Sequence, residues 1–156
     1  MSETAKRLKE LGVVLPKPAA PVANYVPCVR AGTLLFVSGQ IPFGADGKLA
    51  ERHTGKLSAD STIDAAREAA RLCVVNVLAH AHAALGDLDR IAQVVRLGGF
   101  FNVGTTFDAL PQAMNGASDL VAELFGAQGR HARTTVGVAV LPGDAAVEVE
   151  GIFEVG

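Results

Sequence analysis

Two runs near the carboxyl end of the chain carry charged side chains that could act on a small molecule. Arg133 lies in the run 132–140, and Glu148 and Glu150 lie in the run 146–155. A guanidinium can hold a carboxylate through two parallel hydrogen bonds, and a carboxylate can accept a proton from a bound water. These residue types could therefore hold an acid and activate water beside it.

The same residues also fit ordinary structural roles. If both runs are strands, the period of two places Arg133 with Thr135 on one face. It places Glu148 and Glu150 on one face of their own strand, about 7 Å apart. A solvated outer face of a sheet explains the two glutamates, and a surface ion pair explains the arginine. The pattern alone leaves both interpretations open.

Other residues with chemical potential form no recognised site. The segment 47–56 contains a Gly-Lys pair but lacks the spacing of a phosphate-binding loop, so nucleotide binding is not indicated. Cys28 and Cys73 have no metal-site spacing, and we expect reduced packing residues. His80 and His82 lie two apart on a predicted helix and point to nearly opposite sides, so we expect surface or boundary residues. The sequence therefore predicts no metal site.

The amino-terminal part of the chain is predicted to form a short surface helix, a connector and a β-hairpin. A short amphipathic helix is predicted over 2–12, followed by a Pro-rich connector to residue 21, where prolines lack the donors that regular structure needs. The β-rich runs 25–30 and 33–41 are joined by Ala31-Gly32, which predicts a hairpin. After a turn cluster at 43–47, the weakly patterned region through Lys56 is expected to hold a short edge strand.

The remaining elements alternate between helix and strand. Apolar residues at spacings of three and four predict helices over 61–85 and 110–125, with a strand over 90–103 between them. The runs 132–140 and 146–155 predict two final strands. This order places two helices over one face of a mixed sheet, an α+β arrangement whose other face could be covered by oligomerisation.

Composition bounds the kind of protein. The 156 residues are 49% hydrophobic and 19% charged, which is typical of one compact domain. The formal net charge of −2 and the lack of a basic cluster argue against a nucleic-acid partner. The polar amino terminus is unlike a signal peptide, and the apolar stretches are interrupted by charge. We therefore expect a cytoplasmic protein with no membrane partner.

Several short motifs stand in a specific order along the chain. They are Asn24-Tyr25, Phe36-Val-Ser-Gly-Gln-Ile-Pro42, the segment from Asp108 to Asn115, Ala132-Arg133-Thr-Thr-Val136, Leu141-Pro142 and Val147-Glu-Val-Glu150. Each motif is short, but the ordered combination resembles the RidA (YjgF) family of enamine/imine deaminases over about residues 22–155. Thr135 departs from the best-known members, which carry cysteine there, and the helix near the amino terminus and residues 44–60 are similar to those of a longer branch.

The resemblance implies a fold and an assembly. The family has a chorismate-mutase-like fold, with a six-stranded mixed sheet backed by two helices, and assembles as a homotrimer with sites in the clefts between subunits. We therefore expect a domain over 22–156 preceded by the helix and connector over 1–21. No cofactor is expected.

The resemblance also implies roles for individual residues. Arg133 matches the arginine that grips the substrate carboxylate, and Glu148 matches the glutamate that positions a water. The residues expected to line the pocket are Tyr25, Ser38, Gly39, Asn115 and Thr135. The implied reaction is hydrolysis of 2-imino acids, in equilibrium with their enamines, to 2-oxo acids and ammonium. The alternatives are a non-enzymatic trimer that binds small carboxylates and an RNA-cleaving translation inhibitor, which the acidic balance disfavours.

Counting along the last two strands predicts that a shared site needs two chains. If 132–140 and 146–155 pair directly as a hairpin, residue 139 lies opposite Glu148. Arg133 is then six residues further along, or roughly 20 Å away. An arginine and a glutamate cannot meet around one small acid across that gap, so we expect them to come from different subunits.

Overall fold

The computed structural model describes residues 1–18 and 20–156, and Ala19 in the predicted connector lies outside the described residues. The elements of the described chain are α1 (Glu3–Glu10), β1 (Cys28–Ala31), β2 (Leu34–Gln40), α2 (Ile63–Leu85), β3 (Ile91–Asn102), α3 (Leu110–Phe125), β4 (Ala132–Val138) and β5 (Val147–Val155). The strands form a sheet in the order β1-β2-β5-β3-β4. Its core face packs against α2 and α3, which confirms the α+β arrangement.

The sheet has five strands in the described residues, so the expected sixth strand is wrong. Residues 44–60 form isolated bridges instead of a ladder, because the chain turns at Gly47 and Gly55, whose φ angles are +74° and +85°. Each bridge therefore reaches a different partner. The bridged pairs are Phe43 with Leu49, Thr54 with Ala145, and Leu57 with Val103.

The expected hairpin between the last two strands is also wrong. β4 pairs with β3 in parallel, and β5 lies between β2 and β3, antiparallel to both. Burial explains the arrangement. Val147, Val149 and Phe153 of β5 are fully buried and gain most in a central position, whereas the residues of β4 are half-buried or exposed, as suits an edge strand.

The two long helices begin and end at the predicted signals. The Thr62 hydroxyl accepts from Ala65 N–H at the start of α2, and Gly86 ends the helix in the left-handed conformation. Pro111 lies in the first turn of α3. The helices approach closely at Gly116, where a Cβ would collide with the backbone of Arg67. This contact fixes α3 against α2.

The amino-terminal helix is docked on the domain. Asp89 accepts hydrogen bonds from the Glu3 and Thr4 N–H groups at 2.9 and 2.8 Å and from the Thr4 hydroxyl at 2.6 Å. Leu8 and Leu11 pack against the core. Because three donors share one carboxylate, the pKa of Asp89 lies below its usual value.

The core lies between the sheet and the two long helices. Its largest fully buried side chains include Phe101, Phe153, Leu78, Leu97 and Leu120. Among the described helices, none has the length and apolar content that crossing a membrane requires.

Candidate functional site

Arg133 is held by α3 through three hydrogen bonds. It lies opposite the buried Leu97 of β3, so its side chain faces the helix layer. Nη1 donates to Asn115 Oδ1 at 2.8 Å and to Ser118 Oγ at 3.2 Å, and Nη2 donates to the Pro111 carbonyl at 3.1 Å. Within the described chain these bonds leave the Nε–H and one Nη2–H uncommitted. That edge of the guanidinium matches the two oxygens of a carboxylate.

A hydrogen-bond network that includes His131 fixes Ser118. His131 Nδ1 lies 2.6 Å from the Gly129 carbonyl oxygen, which can only accept, so Nδ1 carries the proton. Nε2 lies 2.9 Å from Ser118 Oγ, so the ring and that hydroxyl are hydrogen-bonded. The predicted site omitted Ser118 and His131. The position of His131 on the strand face of Arg133 is the signal that could have found it.

Thr135 belongs to the same cluster as Arg133. It lies two residues further along β4 and on the same face. Its Oγ1 is buried, and no described residue offers it a hydrogen-bond partner. A buried hydroxyl without a protein partner is available to a ligand or to water. The structure therefore brings Arg133, Asn115 and Thr135 together beside α3.

A second group of predicted residues surrounds a cavity of about 330 Å³ at the carboxyl end of β2. The predicted residues on its wall are Tyr25, Gly39 and Glu148. Gly39 lets the Glu148 carboxylate lie against the backbone of β2, because a Cβ at this position would displace that carboxylate. The rest of the wall is mostly apolar and is formed by Ala20, Pro21, Val22, Pro27, Gln40, Ile41, Phe43, His80 and Pro142.

Glu148 has the electrostatics of a proton acceptor. Burial raises the pKa of its carboxyl, and the negative charge of Glu150 on the same face raises it further. Glu150 Oε1 itself lies 3.6 Å from Nη1 of Arg96 on β3. A raised pKa makes the ionised Glu148 carboxylate a stronger base toward water.

Ser38 lies beside this cavity and not on its wall. It lines a neighbouring groove with Glu150, and its buried Oγ has no partner in the described part of the chain. Its backbone N–H donates to the Pro27 carbonyl at 2.9 Å. That amide is therefore already used and is not free to bind a substrate oxygen.

Within one chain the predicted site residues form two separate groups. Glu148 lies opposite Phe100 of β3, three positions from Leu97, which lies opposite Arg133. An odd number of positions reverses the face, so Glu148 faces away from the helices. The two Cα atoms are roughly 14 Å apart, from three residues along the strand and two strand spacings.

His80 is a further residue of the Glu148 cavity that the sequence-based expectation missed. It is 4% exposed and lines the cavity wall, so it is not a surface residue, whereas His82 is exposed. No local pattern of the sequence could have found it, because its burial is set by distant parts of the chain. Among the described residues no group of three or more His, Cys, Asp or Glu side chains could hold a metal ion.

Comparisons with known proteins agree on one family. A family model described as "YjgF/chorismate mutase-like, putative endoribonuclease" matches residues 5–154. Protein TCP17 of Trypanosoma cruzi is 46% identical over 151 residues, which cover 96% of this chain and 92% of the relative. The crystal structure of Atu1372 from Agrobacterium tumefaciens is 45% identical with a TM-score of 0.90, covering 99% of this chain and 93% of that chain.

A more distant structure was solved with a small molecule. Escherichia coli TdcF with bound serine is 23% identical with a TM-score of 0.64, covering 90% of this chain and 94% of that chain. At this identity the likeness concerns the fold alone.

Proposed function

This chain belongs to the YjgF/chorismate mutase-like family, and on that basis we propose that it hydrolyses 2-imino acids, in equilibrium with their enamines, to 2-oxo acids and ammonium. A small example of such a substrate is 2-aminoacrylate. The observation that carries the proposal is the free edge of Arg133, which α3 aligns for a carboxylate.

Arg133 binds the substrate carboxylate in this mechanism. Its Nε–H and remaining Nη2–H form the two parallel hydrogen bonds, while Asn115, Ser118 and Pro111 keep the guanidinium plane fixed. The positive charge beside the imine carbon favours attack by water there. Thr135 offers its unpartnered hydroxyl on the same side of β4.

Glu148 positions the attacking water and accepts its proton. Its carboxylate faces a cavity that it shares with Tyr25, and burial, with the charge of Glu150, raises its pKa and makes it a stronger base toward water. As the new C–O bond forms, the water proton moves to Glu148. The nitrogen takes up this proton from Glu148 and then the proton of the new hydroxyl. The C–N bond breaks, ammonia leaves, and the C–O bond becomes the carbonyl of the 2-oxo acid.

Two copies of the chain form each proposed site. Arg133 and Glu148 face opposite sides of one sheet, so one chain cannot close both around a small acid. The proposed assembly is a homotrimer with clefts between neighbours. Exposed apolar residues on the sheet face away from the helices support it, since Phe36 is 40% exposed and Val136 is 39% exposed.

A second candidate function is binding without turnover. TdcF was solved with bound serine, and in this chain the free edge of Arg133 would hold the carboxylate of such a small acid. Binding needs Arg133 but not a proton acceptor, so Glu148→Gln separates the two functions. If the protein is an enzyme, this variant binds a 2-oxo acid normally and loses about 100-fold or more in kcat.

RNA cleavage is a weaker alternative, although the family description includes endoribonuclease. The net charge is −2 and the sequence has no basic cluster for a phosphate backbone.

The direct experiment supplies the imine enzymatically. A dehydratase generates 2-aminoacrylate in the presence of semicarbazide, which traps the free imine, and pyruvate is followed with and without this protein. The proposal predicts faster pyruvate formation and less semicarbazone. Equal rates with and without the protein, over a panel of imines, would exclude the deaminase function and leave binding without turnover as the function.

A further inference from the structure

His80 places an unused hydrogen-bonding group inside the Glu148 cavity. It lies on α2, is 4% exposed, and shares the cavity wall with Glu148 and Gly39. No residue in the ranges 1–18 and 20–156 hydrogen-bonds its ring. A ring that lines a cavity without a protein partner for its nitrogens is available to a ligand or to water.

The imidazole is uncharged at neutral pH. Burial lowers the pKa of His80, because removing the ring from water disfavours its charged form. A neutral ring offers one N–H donor and one nitrogen acceptor. It can therefore bind an amide or a hydroxyl, each of which also donates and accepts.

The cavity is larger than a three-carbon acid requires. Its volume of about 330 Å³ falls in the range of pockets that enclose sizeable ligands. Most of the wall is apolar, with Val22, Ile41 and Phe43 among its residues. If the attacking water is bound at Glu148, the reacting carbon lies there, and the rest of the cavity has room for a substrate side chain.

We infer that His80 determines specificity for 2-imino acids whose side chain is uncharged and ends in a hydrogen-bonding group, such as an amide or a hydroxyl. The inference rests on the proposed function and deepens it. Glu148 is the one residue of the described wall that is charged at neutral pH, and the proposed mechanism uses its carboxylate to hold the attacking water. A charged side chain beside His80 would therefore be desolvated without a partner.

The test uses pairs of imines that match in shape. Asparagine and leucine have nearly isosteric side chains, and so do homoserine and norvaline. An amino-acid oxidase with catalase generates each imine in place, and its hydrolysis is measured as kcat/KM. The wild type should prefer the polar member of each pair by about 10-fold to 100-fold, because an apolar side chain displaces water from the ring without replacing its hydrogen bonds.

Substitutions assign that preference to one side chain. His80→Leu should bring the polar-to-apolar ratio close to one, and His80→Gln, which keeps a donor and an acceptor, should retain part of it. His82→Leu is the matched control, since His82 is exposed on the same helix and should leave the ratio unchanged.

Three results would overturn the inference alone: a wild type that prefers the apolar members, a His80→Leu variant with the wild-type ratio, or an equal effect of His82→Leu. If the wild type accelerated no imine at all, the proposed function would fail and this inference would fall with it.

Discussion

Arg133 and Glu148 lie on opposite faces of the same sheet. Arg133 pairs with the buried Leu97 and reaches α3, whereas Glu148 pairs with Phe100 and faces away from the helices. The expectation that the two residues come from different subunits rested on a hairpin that does not form. Their separation nevertheless stands, because β3 lies between β4 and β5 and an odd register offset reverses the face.

The role of Arg133 can be tested by replacing its planar guanidinium with a positive group of another shape. Arg133→Lys should lower kcat/KM by about 100-fold or more, because an ammonium cannot form two parallel bonds to one carboxylate. Arg133→Ala should abolish both 2-oxo acid binding and turnover. Steady-state kinetics and calorimetry measure the two effects, and Arg130→Ala, an exposed neighbour, is the control. A lysine variant with near-normal turnover would refute the binding of the carboxylate through two parallel hydrogen bonds.

Glu150 tunes the pH at which Glu148 works. The Glu150 charge raises the pKa of Glu148, so removing it should lower that pKa. Glu148 acts as a base only when ionised, so activity is lost as pH falls through its pKa. Glu150→Gln should therefore move the acid limb of the kcat/KM profile to lower pH. Glu154→Gln, exposed at the far end of β5, should leave the limb in place. A shift to higher pH would contradict the assignment.

Thr135 should line the site without acting as a nucleophile. Its hydroxyl is buried and without a partner in the described chain, so it can bind a ligand or a water. Thr135→Val keeps the shape of the side chain and should keep most of the activity, with a loss of about tenfold or less for one neutral hydrogen bond. Mass spectrometry under turnover should find no adduct on Thr135, and a covalent adduct would overturn this role.

Subunit mixing tests the shared site. Arg133→Ala and Glu148→Ala proteins should each be inactive, and unfolding and refolding them together in equal amounts should restore activity. In a cyclic trimer with random mixing, about one quarter of the clefts combine an intact Arg133 with an intact Glu148 from the neighbour. Native mass spectrometry confirms the mixed trimers. Mixed trimers without recovered activity would mean that both residues act from one chain.

The docking of α1 through Asp89 predicts a pH-dependent contribution to stability. Because the pKa of Asp89 is lowered in the folded protein, its contribution is present above the unfolded value and is lost as pH falls through the folded one. Asp89→Asn should lower Tm by about 2–4 °C at pH 7 and by less at acid pH. Asp60→Asn, an exposed loop aspartate, is the control, and an equal Tm loss at both pH values would exclude this cause.

The sequence by itself determined the local elements and the residue types of the site. Thr62 and Gly86 bound α2 because capping depends on a few neighbouring residues. A tight turn is local as well, and it joins the first two strands at Gly32-Thr33, one residue after the predicted Ala31-Gly32. The period of two likewise placed Glu148 and Glu150 on one face. The family resemblance, which the comparisons confirm, follows from the order of short motifs.

Only the tertiary structure decided which strands are neighbours and which side chains meet. Strand order depends on burial across the whole sheet, so the pairing of β4 with β3 was not readable from adjacent segments. The same holds for His80. A histidine on a helix is an ordinary surface residue until the fold buries it in a cavity wall beside Glu148, because burial is set by distant parts of the chain.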